Sequence, residues 1–235
     1  MMTTDSDSPL REDQYPLPQE ARDEIRVRLS ASSQVIRATA EHCADEIVRA
    51  ADVMAASLHQ GGKILICGNG GSAADAEHMA AELVGRLSKE VDRPGLAAIA
   101  LTANAPLLTA YANDVGFAGV FARQVEALGR PGDVLVAIST SGASENVLRA
   151  AERARRSGLH VISLTGQGGT LPYLSDTAIR VPSDNTQFIQ EAHLVIEHVI
   201  CHLVEQRLYE ADRAVDGLGG RDLDAAEIIS PAHEP

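Results

Sequence analysis

The stretch ILICGNGGSAADAEHMAAE, residues 64–82, joins an apolar run to a glycine-rich turn and then to a segment with helical spacing. Strand, tight turn and helix in this order form the repeating unit of a parallel α/β sheet. In such a sheet the turn lies at the carboxyl edge, and the helix start points unpaired N–H groups at whatever binds there. The turn has no lysine of the G-x-x-x-x-G-K-[ST] phosphate loop, and its glycines do not match the G-x-G-x-x-G dinucleotide spacing. GNGGS alone needs no ligand, because glycine also serves any turn that requires a left-handed backbone. On the helix, His78 and Glu82 stand four residues apart and therefore one above the other. Both can reach one cation, although the same spacing suits an ordinary polar contact on a half-wet helix.

Upstream of this unit, residues 20–60 repeat apolar positions (Ile25, Leu29, Ile36, Ile47, Val53, Leu58) at helical spacing and predict one or two long amphipathic helices, stopped by Gly61-Gly62. Downstream, the runs at 95–101, 133–139, 160–165 and 178–182 join residues 63–67 as predicted strands, and helical patterns occupy 73–85, 105–116, 145–158 and 186–210. The strand runs are too continuously apolar for a sheet with one wet face. The expectation is an α/β three-layer sandwich, a five-stranded mostly parallel sheet between helices, preceded by the long N-terminal helix or helices. One domain spans 19–211. Residues 1–18, rich in Asp, Ser and Pro, and 212–235, rich in Asp, Gly and Ala, read as tails without chemistry.

Composition narrows the function classes. The chain has 235 residues, 45% of them apolar, enough to bury a full core. Its formal charge of −13 and the lack of any lysine or arginine cluster argue against binding nucleic acid by phosphate neutralisation. No apolar run is long enough for a membrane span, and the polar, acidic N-terminus does not read as an export leader, so a cytoplasmic protein is expected. Cys43, Cys67 and Cys201 are odd in number and embedded in apolar patterns, which predicts buried free thiols.

An acidic protein still holds a single phosphate where a loop supplies hydroxyls and backbone N–H groups at a helix start. The segment STSGASEN at 139–146 places Ser139, Thr140, Ser141 and Ser144 within six positions, just after a predicted strand. Ser144 also suits a plain N-cap, followed by an acidic first turn. Two such loops on adjacent strands, 68–72 and 139–144, would face the same crevice.

Together, CGNGGSAADAEHMAAELVGR, RPGLAAIALT, NDVGFAGVFARQVEALGRPGDVLVAISTSGASENVLRA, ISLTG and IQEAHLVIEHVICHLVE resemble the sugar isomerase (SIS) fold, which is flavodoxin-like, in its bacterial phosphoheptose isomerase branch. The resemblance covers about residues 25–208. It implies that Ser72, Ser139, Thr140, Ser141 and Ser144 hold a sugar phosphate. It also implies one zinc per subunit on His78, Glu82, Gln190 and His198, with Glu82 as the carbon base and His198 as the partner acid/base. Asn69, Gly70, Gly71, Asp75, Asp114 and Gln190 are further substrate-lining candidates.

Gln190 and His198 stand eight residues apart, a rise of roughly 12 Å on an ideal helix. Both reach one ion only if the helix start is irregular, the side chains converge, or a neighbouring subunit helps. His193 and His202, on the same helix, read as packing or surface residues. The implied reaction is isomerisation of sedoheptulose 7-phosphate to D-glycero-D-manno-heptose 7-phosphate through an enediol, at the start of nucleotide-activated heptose synthesis. The implied assembly is a homotetramer with sites at subunit interfaces. Competing expectations are a non-catalytic SIS protein, such as a DnaA-binding replication-initiation adaptor, and an isomerase of another sugar phosphate. Phe188 departs from the family pattern, which commonly has arginine before IQE.

Overall fold

The computed structural model describes residues 18–87 and 92–210; apart from Pro18, the two terminal tails read from the sequence lie outside the described residues. The elements are α1 (Gln19–His59), β1 (Ile64–Cys67), α2 (Gly71–Val84), β2 (Ala98–Ala100), α3 (Ala105–Asp114), α4 (Val120–Leu128), β3 (Val134–Ser139), α5 (Glu145–Arg156), β4 (His160–Thr165), β5 (Thr177–Arg180) and α6 (Thr186–Glu205). The strands form one sheet in the order β2-β1-β3-β4-β5. Every pairing is parallel, so the expectation of a mostly parallel sheet is tightened to a wholly parallel one.

Period-two alternation along buried strands divides the core. Ile64, Ile66, Val134, Val136, Ile138, Ile162, Leu164 and Ile179 face one way and pack with Met54 of α1, Met79 and Leu83 of α2, and Ile189, Ile196 and Ile200 of α6. Leu65, Cys67, Leu135, Ala137 and Val161 face the other way, against Val120, Phe121 and Val125 of α4 and Val147, Ala150 and Ala154 of α5. Both faces are therefore dry, which is why the strand runs in the sequence are uninterrupted. All three cysteines are buried free thiols, and burial pushes the Cys67 thiol up to about 12.

Helix α4 has no counterpart in the sequence reading. Its nine residues lie between Gly119 and Gly129 and span about two and a half turns, too few for a repeating period to declare itself. The N-terminal pattern resolves as one helix of 41 residues, about 60 Å long. Its second half packs on α6 and β5, whereas residues 19–30 are exposed.

The order of the sheet reverses between β1 and β3, since the chain leaves β1 for one edge and returns through β3 toward the other. Ligand crevices in open parallel sheets form at such a point, beyond the strand carboxyl ends. Here that edge carries residues 68–72 and 139–144, paired through the register Cys67↔Ala137. Leu135 lies on the middle strand and is fully buried. Leu135→Ala is expected to lower the free energy of unfolding by about 2–5 kcal/mol, read by urea denaturation.

Candidate active site

The two loops predicted to share a crevice are joined by side chains. Asn69 and Asn146 exchange amide hydrogen bonds in both directions, at 2.9 and 2.8 Å, and so tie the turn after β1 to the first turn of α5. Close approach explains the glycine at 68, where a Cβ would lie 2.4 Å from the Ser72 carbonyl oxygen. Ser72 itself is buried in the first turn of α2. Across the crevice, Ser139 Oγ lies 3.1 Å from Ser144 Oγ and 3.4 Å from Ser141 Oγ. Ser144 occupies the N-cap of α5, but its side chain makes no capping hydrogen bond. Its hydroxyl faces the other serines, which suits a cradle better than a cap. Thr140, half-buried between them, gives its carbonyl to Gly166 N–H. The starts of α2 and α5 add backbone N–H groups to these hydroxyls, an arrangement whose chemistry suits an anion.

From this edge α2 and α6 descend side by side. Gly71, Asp75, His78 and Glu82 follow one another at i, i+4, i+7 and i+11, a single stripe along α2. The stripe faces α6. At its top, a Cβ on Gly71 would fall 2.0 Å from Gln190 Nε2, so a larger residue there would displace the Gln190 amide. Below that, Asp75 is buried, and burial pushes its carboxyl up while the Gln190 amide and His78 pull the other way.

At the bottom of the stripe, His78 Nε2 lies 2.9 Å from His198 Nε2 and 3.7 Å from Glu82 Oε1. One donor atom from each of these three residues lies within 4.8 Å of the others. Two imidazoles and a carboxylate so arranged fit a zinc centre with three protein ligands and an open position. The α6 helix runs without interruption from 186 to 205, so no irregularity brings Gln190 down to His198. Gln190 stands instead at the upper end, beside Gly71 and Asp75. Gly70, with a positive φ of 57°, turns the chain into α2. Asp114 ends α3 in an exposed position and accepts a hydrogen bond from Asn113; no described contact joins it to the other candidates.

Several polar residues near the site escaped the sequence reading. Glu197 is buried beside His198, neither of its oxygens has a partner among the described residues, and burial, reinforced by Asp75, pushes its carboxyl up to about 9. The only signal in the sequence is a glutamate on the apolar face between Ile196 and Ile200. Asn146 carried no signal, because its partner is 77 residues away. His193 is a core residue, as expected; its ring nitrogens are likewise unpartnered, and His202 is exposed.

The SIS domain family model matches residues 29–166. The phosphoheptose isomerase of Rhodospirillum rubrum is 56% identical over 167 residues, covering 71% of this chain and 88% of that protein. The Roseiflexus sp. phosphoheptose isomerase is 51% identical over 183 residues, covering 77% and 92%. Among solved structures, the phosphoheptose isomerase of Neisseria gonorrhoeae aligns with a TM-score of 0.74 at 42% identity over 79% of this chain and 99% of that one. That of Francisella tularensis gives 0.76 at 42% identity, over 79% and 98%.

His193 offers a test of the packing beneath the site. Burial lowers its ring from 6.5 to about 4, so between these values the unfolded chain takes up a proton that the native state refuses. Native stability therefore falls as pH drops through that window. Between pH 7 and pH 4 the wild type is expected to lose about 3 kcal/mol more than His193→Leu, measured by denaturant unfolding at each pH.

Proposed function

The chain belongs to the phosphoheptose isomerase family of SIS-domain proteins, and from that membership we propose that it interconverts sedoheptulose 7-phosphate and D-glycero-D-manno-heptose 7-phosphate, an aldose–ketose isomerisation that begins the making of nucleotide-activated heptose. The observation that carries the reading is the convergence of His78, Glu82 and His198 from two helices, below a serine-lined anion cradle. Gly71 and His78 are seven residues apart on α2, about 10 Å along its axis. That separation supports a substrate whose phosphate and reacting carbons lie at opposite ends of an extended chain.

In this proposal Ser72, Ser139, Thr140, Ser141 and Ser144 bind the phosphate, together with the N–H groups at the starts of α2 and α5. Gly70 and Gly71 let the backbone approach the ligand, while Asn69, Asp75 and Gln190 line the path of the sugar hydroxyls. Asp114 keeps a place in the proposal only if a neighbouring subunit brings it to the site. Glu82 takes the proton from C1 of the ketose and returns it to C2, and His198 moves a proton between the two oxygens, so that an enediol links the sugars. Glu82 has two carboxylate oxygens. One faces the imidazoles, which leaves the other for the carbon-bound proton.

His78, Glu82 and His198 would hold one zinc per subunit; the family resemblance adds Gln190, which in this chain stands beside Gly71 and Asp75 and would join them only at an ion shared with a neighbouring subunit. Bound there, zinc supplies a Lewis acid that polarises the substrate oxygens and stabilises the charge developing on them. Phe188 is half-buried in the first turn of α6, and nothing in the structure explains its departure from arginine.

An apolar groove between α1 and α6, lined by Ile36, Ile47, Val48, Val195, Val199 and Leu203, supports assembly into a homotetramer. Ile25, Val27 and Leu29 extend the apolar surface along exposed α1. Patches of this kind mark protein contacts. Among the described residues no helix is long and apolar enough to cross a membrane. The cytoplasm, where phosphorylated sugars are made and consumed, is the proposed location.

Purified protein is expected to turn over sedoheptulose 7-phosphate, to lose that activity on chelation and to regain it with zinc. Glu82→Gln should lower kcat by about 10²–10⁴-fold. Absence of turnover by folded, zinc-loaded protein would overturn the assignment. Val199→Asp is expected to reduce the solution mass measured by light scattering; an unchanged mass would remove the α1–α6 groove from the assembly.

A further inference from the structure

Arg93 lies in the irregular segment before β2, and its side chain is 1% exposed. Its Nε donates to Glu205 Oε1 at 2.6 Å, and that carboxylate is 2% exposed. The other guanidinium donors go mainly to α2: Nη2 donates to the Glu82 carbonyl at 2.8 Å, and Nη1 to the Leu83 carbonyl at 2.9 Å and the Pro94 carbonyl at 3.1 Å. Glu205 Oε1 also accepts from Leu87 N–H at 3.2 Å, just beyond the end of α2. The last carbonyls of a helix have no partner within it, and a cation there also meets the negative end of the helix dipole. Arg93 therefore closes α2 at the residue that carries the carboxylate of the site.

Glu205 is seven residues after His198, on the same face of α6 two turns further on. The pair thus binds the end of α2 to α6 directly below the cluster that these helices share. Stability alone explains such a pair poorly, since a buried ion pair often contributes no more than apolar residues of similar volume. Its geometry is specific: a planar fork reaches one carboxylate and two helix carbonyls together, which a lysine ammonium on its flexible stem does not reproduce.

We propose that Arg93 and Glu205 are positioning residues: the pair sets the register of α2 against α6 and thereby holds Glu82 and His78 at the distance from His198 that metal binding and proton transfer require. The inference rests on the reading of His78, Glu82 and His198 as the reacting centre. The phosphate cradle lies at the other end of both helices, so the clamp acts on kcat and zinc affinity rather than on KM.

The test uses full-length protein carrying Arg93→Lys, and a second variant, Arg93→Met with Glu205→Met, that removes both charges while filling the space. Thermal unfolding, zinc affinity by competition with a chelator, and kcat and KM at saturating zinc are measured for each. For Arg93→Lys we expect a melting temperature close to wild type, zinc affinity weaker by about 10–100-fold and a comparable fall in kcat. KM should stay within twofold. The double variant should fold and show the same losses, so a folding defect in either protein leaves the other to decide.

Zinc affinity and kcat within twofold of wild type, in whichever variant folds, would overturn the clamp. His78→Ala serves as the reference. If it binds zinc as wild type does, the metal reading fails, and the clamp then stands or falls on the kcat of the two variants.

Discussion

The site depends on the register between two neighbouring helices. α2 follows β1 and α6 follows β5, and because the strands are parallel both helices begin at the carboxyl edge and descend the same face. Neither helix holds a complete set of functional groups. His78 and Glu82 gain their partner only where His198 faces them, and a sliding displacement of one helical residue, about 1.5 Å, would separate the ring nitrogens. Three contacts oppose that displacement. Gln190 sits over Gly71 at the top, the imidazoles meet in the middle, and Arg93 with Glu205 joins the ends below.

A different constraint sets the upper end of the crevice. Pairing of β1 with β3 brings two polar loops side by side, and the reciprocal Asn69–Asn146 hydrogen bonds fix them to each other. The resulting cradle is neutral. In a chain of net charge −13, an anion bound here would rely on local N–H groups and hydroxyls, not on the overall field. Beneath lies a set of buried polar groups, Asp75, Ser163, His193 and Glu197, each with at least one atom lacking a hydrogen-bond partner among the described residues. Burial holds His193 and Glu197 uncharged at neutral pH, which makes this interior tolerable without ion pairs.

Local order settled much of this protein in advance. Uninterrupted apolar runs announced strands covered on both faces, and the GNGGS and STSGAS turns marked where the crevice would form, because turn chemistry and hydrophobic period act over a few residues. The family resemblance of the longer motifs supplied roles for Glu82 and His198 that spacing alone left open. Helix α4 stayed hidden because nine residues between glycines are too few to show a period.

Only the tertiary structure decided which side chains meet. The His78–His198 contact spans 120 residues, Arg93–Glu205 spans 112 and Asn69–Asn146 spans 77. It also decided that α6 stays regular, which leaves Gln190 with Gly71 and Asp75 rather than with His198. Sequence carries the propensity of each segment, which neighbouring residues determine among themselves. Contact between distant segments depends on how the sheet orders its strands and how the helices pack in depth and register, and these emerge only when the whole core is buried at once.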